Sequence, residues 1–169
     1  MVISLKKCIF LIICFIIAIL VYEKSDDVII PNDAIRVRII ANSNSISDLY
    51  SKKVLKESIK DDLYNIVKDA NSTLEADSII KNNLDKIEDI VSNKTSDFSI
   101  DYGKNYFPKK VYKDVIYNEG EYESLVVTLG EGNGHNFWCV LFPPLCLVDE
   151  QEENIEYKSF VKEIIKKYF

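Results

Sequence analysis

Cys139 and Cys146 flank the Pro143-Pro144 dipeptide, and His135 stands four residues before the first of them. A disulfide between the two cysteines would close an eight-residue loop, worth about 2.5 kcal/mol on the chain-entropy account. The rival state is a pair of buried thiols, which the apolar surroundings allow. The spacing does not fit a C-x-x-C redox or zinc motif, and Cys and His are too few for a four-ligand cage. A Cys–His nucleophilic pair fails on geometry, because residues four apart on an extended strand lie about 13 Å apart. His135 therefore reads as a loop residue. Gly130-Glu-Gly-Asn-Gly134 has the look of a phosphate cradle. Such a cradle needs a following helix whose first amides face the anion, and here an aromatic strand follows. The glycines read instead as a hairpin loop with positive φ values. Asp101, Glu121, Glu123, Glu131 and Asp149 read as solvated acids, none paired by spacing as general acid and base. No catalytic residue, cofactor or metal is expected.

Charge narrows the partners. The 169 residues hold 21 Lys+Arg and 27 Asp+Glu. Lys6 and Lys7 are the only charges in the first 22 residues, so residues 23–169, with 19 basic and 27 acidic side chains, carry −8. Phosphate contacts need clustered Lys and Arg, so a nucleic-acid partner is not expected. Length and the 47% apolar content fit one domain with a sizeable core.

Lys6-Lys7 precede an uncharged apolar run from Cys8 to Tyr22, and Glu23, Asp26 and Asp27 follow. A basic start, a short apolar run and acidic flanks describe an export signal. As a helix of roughly 1.5 Å per residue it reaches about 22 Å, short of the roughly 30 Å hydrocarbon core. No A-x-A-like site follows Ala18. Residues 1–24 are thus expected to be a signal peptide or, uncleaved, a membrane anchor. A buried core helix is the alternative, but such helices seldom lack polar residues on every face. The positive end stays in the cytoplasm, which places residues 23–169 outside the membrane. Residues 25–33 read as a spacer and 34–169 as one extracytoplasmic domain.

Within that domain Ile35-Arg-Val-Arg-Ile-Ile-Ala41 alternates as a strand with one buried face. Ser47-Asp48 fits a helix start, followed by Leu55, Ile59, Leu63, Ile66 and Val67 at helical spacing. Ser72-x-x-Glu75 is a capping-box pattern opening a second helix with the stripe Ile79, Ile80, Leu84, Ile87, Ile90 and Val91. Phe98–Tyr102, Val111–Tyr117, Tyr122–Leu129 and Phe137–Phe142 read as strands, the last stopped by Pro143-Pro144. Tyr157, Phe160, Val161, Ile164, Ile165 and Tyr168 mark a final amphipathic helix. Its mixed charges favour packing on the sheet over lying on a membrane or a partner. The expected fold is α+β: a mostly antiparallel sheet with a helical hairpin and C-terminal helix on one face, behind the N-terminal signal helix. Phe137 and Trp138 fit a partner-binding edge, since aromatics are enriched at hot spots, with plain core as the rival.

The run from Gly130 to Asp149, with Asn136-Phe-Trp-Cys-Val-Leu-Phe-Pro-Pro-Leu-Cys146 at its centre, resembles the stage II sporulation protein R family. So do Ile39-Ile-Ala-Asn-Ser43, Phe107-Pro-x-Lys110-x-Tyr112 and Gly120-x-Tyr-Glu-x-Leu125, in the same order; the resemblance covers about residues 34–149. Asn44 stands where an acidic residue is usual, Phe137 where a tryptophan is, and Lys113 where a glycine is. The resemblance implies a signal exported from the forespore into the space between the forespore and mother-cell membranes. There it would trigger a membrane-embedded aspartic protease of the mother cell that cleaves pro-sigma E. The Asn42-Ser43 turn and the Gly130–Trp138 segment, with Glu131, Gly132, Phe137 and Trp138, are the expected partner contacts. The alternatives are an extracytoplasmic cell-wall hydrolase using acids with His135, and a structural septal protein.

Overall fold

The computed structural model describes residues 28–145 and 157–169. The signal or anchor at 1–24, Cys146 and Asp149 lie outside the described residues. The elements in order are β1 (Val28–Ile29), β2 (Ile35–Ile40), α1 (Ile46–Val67), α2 (Thr73–Asn82), α3 (Leu84–Ser92), β3 (Phe98–Phe107), β4 (Lys110–Tyr112), β5 (Val115–Tyr117), β6 (Gly120–Leu129), β7 (Asn136–Phe142) and α4 (Tyr157–Tyr168). They build an α+β fold with two sheets, ordered β3-β6-β2-β7 and β1-β5-β4. Of the five pairings three are antiparallel; β2 with β6 and β1 with β5 run parallel.

The alternation in β2 sends Val37 and Ile39 to one face of the larger sheet. With Leu125, Val127, Leu129 and Leu141 they meet Leu55, Ile59 and Leu63 of α1 and Ile80, Ile87 and Val91 of α2 and α3, all buried. A second cluster joins Val28, Val115, Tyr117 and Val140 to Val161 of α4. Tyr168 of α4 also reaches Phe142 of the first cluster, ring to ring at 4.9 Å. Among the described residues no helix is long and apolar enough to cross a membrane.

Several local expectations change. The first helix is capped at Ser45, whose hydroxyl accepts from the Asp48 amide at 3.1 Å, two residues before the expected start. Ser72 caps α2 as expected, accepting from the Glu75 amide at 3.2 Å, but the Glu75 carboxylate accepts from Asn71 N–H rather than from the cap residue. The long second helix breaks at Asn83, whose φ of −118° leaves the helical region while its side-chain Nδ2 donates to the Ile79 carbonyl at 2.8 Å. That side-chain bond competes with the helix ladder, as asparagine does.

Val111–Tyr117 is two strands, not one. Lys113 and Asp114 have φ values of +47° and +61°, the two left-handed residues of a tight hairpin. Glycine is free of the Cβ penalty that lysine carries there. Lys113→Gly is therefore expected to stabilise the domain by about 0.5–1 kcal/mol, offset in part by the freer unfolded chain. Denaturant titration reads the effect, and a loss of stability would refute the strain at this turn.

The glycine segment is not a hairpin either. β2 lies between β6 and β7, so residues 130–135 must step over its C-terminal end. Two strand spacings are about 9.6 Å, too far for a two-residue turn. Local sequence carries no sign of the inserted strand, which pairs with β6 from 88 positions away at Arg36↔Ser124.

Candidate functional site

The loop that crosses β2 closes on the turn between β2 and α1. Gly134 N–H donates to the Ala41 carbonyl at 2.8 Å and Asn133 N–H to the Asn42 carbonyl at 2.9 Å. The Asn42 side chain uses both ends. Its oxygen accepts from Glu131 N–H at 3.0 Å and its NH2 donates to Asp48 Oδ2 at 3.0 Å. Ser43 Oγ donates to the same carboxylate oxygen at 2.5 Å. Asn44 Oδ1 accepts from His135 N–H at 2.8 Å, and Lys52 Nζ donates to the His135 carbonyl. An acidic side chain at 44 would accept the same bond, so this departure from the family pattern keeps the chemistry. Gly130 has φ +52°, and a Cβ there would run into the Asn42 side chain. Asn42, Ser43, Glu131 and Gly132 are thus brought together as one clasp.

The Ser43 hydroxyl, ahead of the Asn42 amide, holds Asp48 below the usual carboxylate range. A depressed carboxylate adds stability above its unfolded pKa and loses it as pH falls. Asp48→Asn is expected to flatten the acid limb of the stability profile between about pH 5 and pH 3. Chemical denaturation across that range reads it, and limbs of equal slope in both proteins would remove Asp48 from the acid response. Lys52 is lowered by its burial.

Phe137 and Trp138 do not form one patch. Neighbouring residues of a strand face opposite sides. Phe137 turns to the helices, with Lys56 Nζ 5.1 Å from its ring, and lines a small apolar groove with Val37, Ile39, Ile59 and Leu141. Trp138 turns to the other face, 5.0 Å from the Phe107 ring, with the guanidinium of Arg38 at 5.2 Å. Cys139 follows in β7, on the Phe137 side.

Sequence reasoning missed two features. The alternation of β2 sets Arg36 on the face opposite Val37 and Ile39, yet it is only 2% exposed. Its guanidinium carbon sits 4.4 Å from the Phe107 ring, 5.0 Å from Tyr122 and 5.3 Å from Tyr117. Burial lowers the pKa of both arginines. The available signal was that Arg36 and Arg38 are the only arginines in the chain. The second feature is on α1, where Ile46, Tyr50 and Val54 recur at i, i+4 and i+8 and are 89%, 67% and 48% exposed. This apolar stripe begins at the clasp.

The arrangement contains no relay. Ser43 bonds directly to Asp48, whereas a Ser–His–Asp triad needs the imidazole between them. Among the described residues no His/Cys/Asp/Glu group of three is placed to hold a metal.

Known proteins share the sequence that builds this clasp and sheet. A family profile described as Stage II sporulation protein R (spore_II_R) covers residues 31–152. A relative described as Stage II sporulation protein R, from Bacillus subtilis (strain 168), is 37% identical over 160 residues, covering 85% of this chain and 71% of its own. No solved structure matches. These likenesses first set the α+β domain among sporulation proteins. More narrowly, the chain belongs to the stage II sporulation protein R family.

Proposed function

We propose that the chain is an exported sporulation signal that activates a membrane-embedded aspartic protease and so triggers processing of pro-sigma E. Its family membership carries the reading, together with the activity that the family resemblance implies. The stripe Ile46, Tyr50 and Val54, starting where the clasp ends, supplies a face of the kind a helical partner takes. A binding protein shifts its target only by preferring the active form, and moving 1:99 to 99:1 needs about 5.5 kcal/mol of preference. Export through residues 1–24 delivers the domain to the side of the membrane where that target is exposed.

Co-expression of this chain with the protease and its sigma substrate in a non-sporulating host tests the proposal. Processing that depends on this chain supports it; processing that is equal with and without the chain rejects it. A disulfide between Cys139 and Cys146 is part of the same reading. It is supported by the placing of the two cysteines on either side of Pro143-Pro144 and by export to an oxidising space. Mass measurement of the exported product with and without reductant checks it, and two free thiols would reject it.

A further inference from the structure

The larger sheet has a second face that the helices α1–α3 do not cover. Arg36 and Arg38 both point to it from β2, and register sets Arg38 opposite Trp138 of β7 and Val126 of β6. Both guanidinium groups lie within 6 Å of the Phe107 ring, at 4.4 and 5.9 Å. Lys110 Nζ adds a third cation 5.4 Å from the Trp138 ring. Arg36 is 2% exposed, yet among the described residues its Nε and Nη1 have no hydrogen-bond partner, and neither has Nε of Arg38. Among the described residues no ion pair joins either arginine to a carboxylate. Asp101 is the acid nearest in register; its charge acts on Arg38 without an ion pair between them, and its Oδ2 accepts from Asn105 at 3.0 Å. Aromatic rings attract a guanidinium through their faces but leave its in-plane N–H donors unsatisfied. Buried charged donors without acceptors call for one.

The acceptor that fits a planar fork is a carboxylate, held by two parallel bonds. We propose that the Arg38–Trp138 face, backed by Arg36 and rimmed by Lys110, binds a carboxylate of an acidic, extended peptide segment of a protein partner. An anionic membrane is disfavoured, because residues 23–169 carry −8 and repel an extended negative surface, while a single carboxylate meets only the local cations. Trp138 stands on the terminal strand of its sheet, where an extended segment can lie alongside. The inference rests on reading the chain as a binding protein, but its test needs no protease.

Trp138 is the sole tryptophan, so its emission reports the site directly. The full chain in detergent is titrated with a blocked tetraglutamate peptide, with a blocked tetraglutamine peptide as control. A saturable change with glutamate alone is expected, weakened about tenfold or more by Arg38→Gln and reduced at high salt. No saturable change, an equal response to glutamine, or unaltered binding by a folded Arg38→Gln protein overturns the proposal. Inorganic phosphate or anionic vesicles matching the glutamate response would overturn the peptide assignment. If Arg38→Gln does not fold, Lys110→Glu on the exposed strand β4 decides, with unchanged affinity counting against the site. Failure here with processing intact leaves the signalling role standing, and peptide binding without processing does the reverse.

Discussion

Phe107→Ala is expected to lower the stability of the domain by about 3–5 kcal/mol, the range for emptying a buried aromatic position. Phe107 is fully buried. Its ring meets Tyr122 edge-on at 5.8 Å and Trp138 at 5.0 Å, and it carries the Arg36 guanidinium at 4.4 Å. Truncation leaves a cavity beside a charge whose Nε and Nη1 have no hydrogen-bond partner among the described residues. Water entering that cavity would solvate the guanidinium and return part of the loss, so the cost is expected to fall short of a cavity term and a stranded charge added together. Phe107→Leu separates the two contributions. It keeps most of the volume and removes the ring, so its expected cost is only the aromatic and cation–π contacts, about 1–3 kcal/mol. Denaturant unfolding followed by Trp138 emission measures both. A loss below about 1 kcal/mol for the alanine variant would show that the ring does not hold the arginine face together.

The helical half of this protein was readable because its signal is local. Leu55, Ile59 and Leu63, and Ile80, Ile87 and Val91, fall on apolar stripes by spacing, and all are buried in one cluster. The strands were readable as strands, but their partners were not. Period-two alternation states which residues of β2 share a face, and it placed Val37 and Ile39 together correctly. It does not state what covers the other face. Arg36 reads as solvated until Phe107, Tyr117 and Tyr122, distant in sequence, close around it. The clasp shows the same limit. Asn42-Ser43 and the glycine segment each looked notable alone, but only the insertion of β2 between β6 and β7 brings them into hydrogen-bond contact. Lys113-Asp114 lacks the glycine that would have announced a turn, so the β4–β5 hairpin passed for one strand.

Gly134→Ala is expected to cost about 2–3 kcal/mol, near the upper end for overpacking, and, on the proposed function, to reduce sigma processing at matched protein levels. A Cβ at 134 meets the Ser43 carbonyl, its carbon at 2.6 Å and the Ala41 Cβ at 2.8 Å. These are backbone atoms or a methyl with no rotamer to change, so the loop must lift and the Gly134 N–H to Ala41 bond of 2.8 Å is lost with it. Gly130→Ala is instructive by contrast. There the obstacle is the Asn42 side chain, which can swing away, though only by abandoning Glu131 N–H and Asp48. Asn42→Ala removes that obstacle and both bonds at once. The double variant Asn42→Ala with Gly130→Ala is therefore expected to cost about 1–2 kcal/mol less than the two single losses together. Asn42→Ala with Gly134→Ala should couple less strongly, because the Ser43 carbonyl still blocks a Cβ at 134 whatever residue 42 carries. Equal coupling in both pairs would mean that the clasp opens as a single unit, and that the Asn42 amide is not the element that holds the glycine loop over the end of β2.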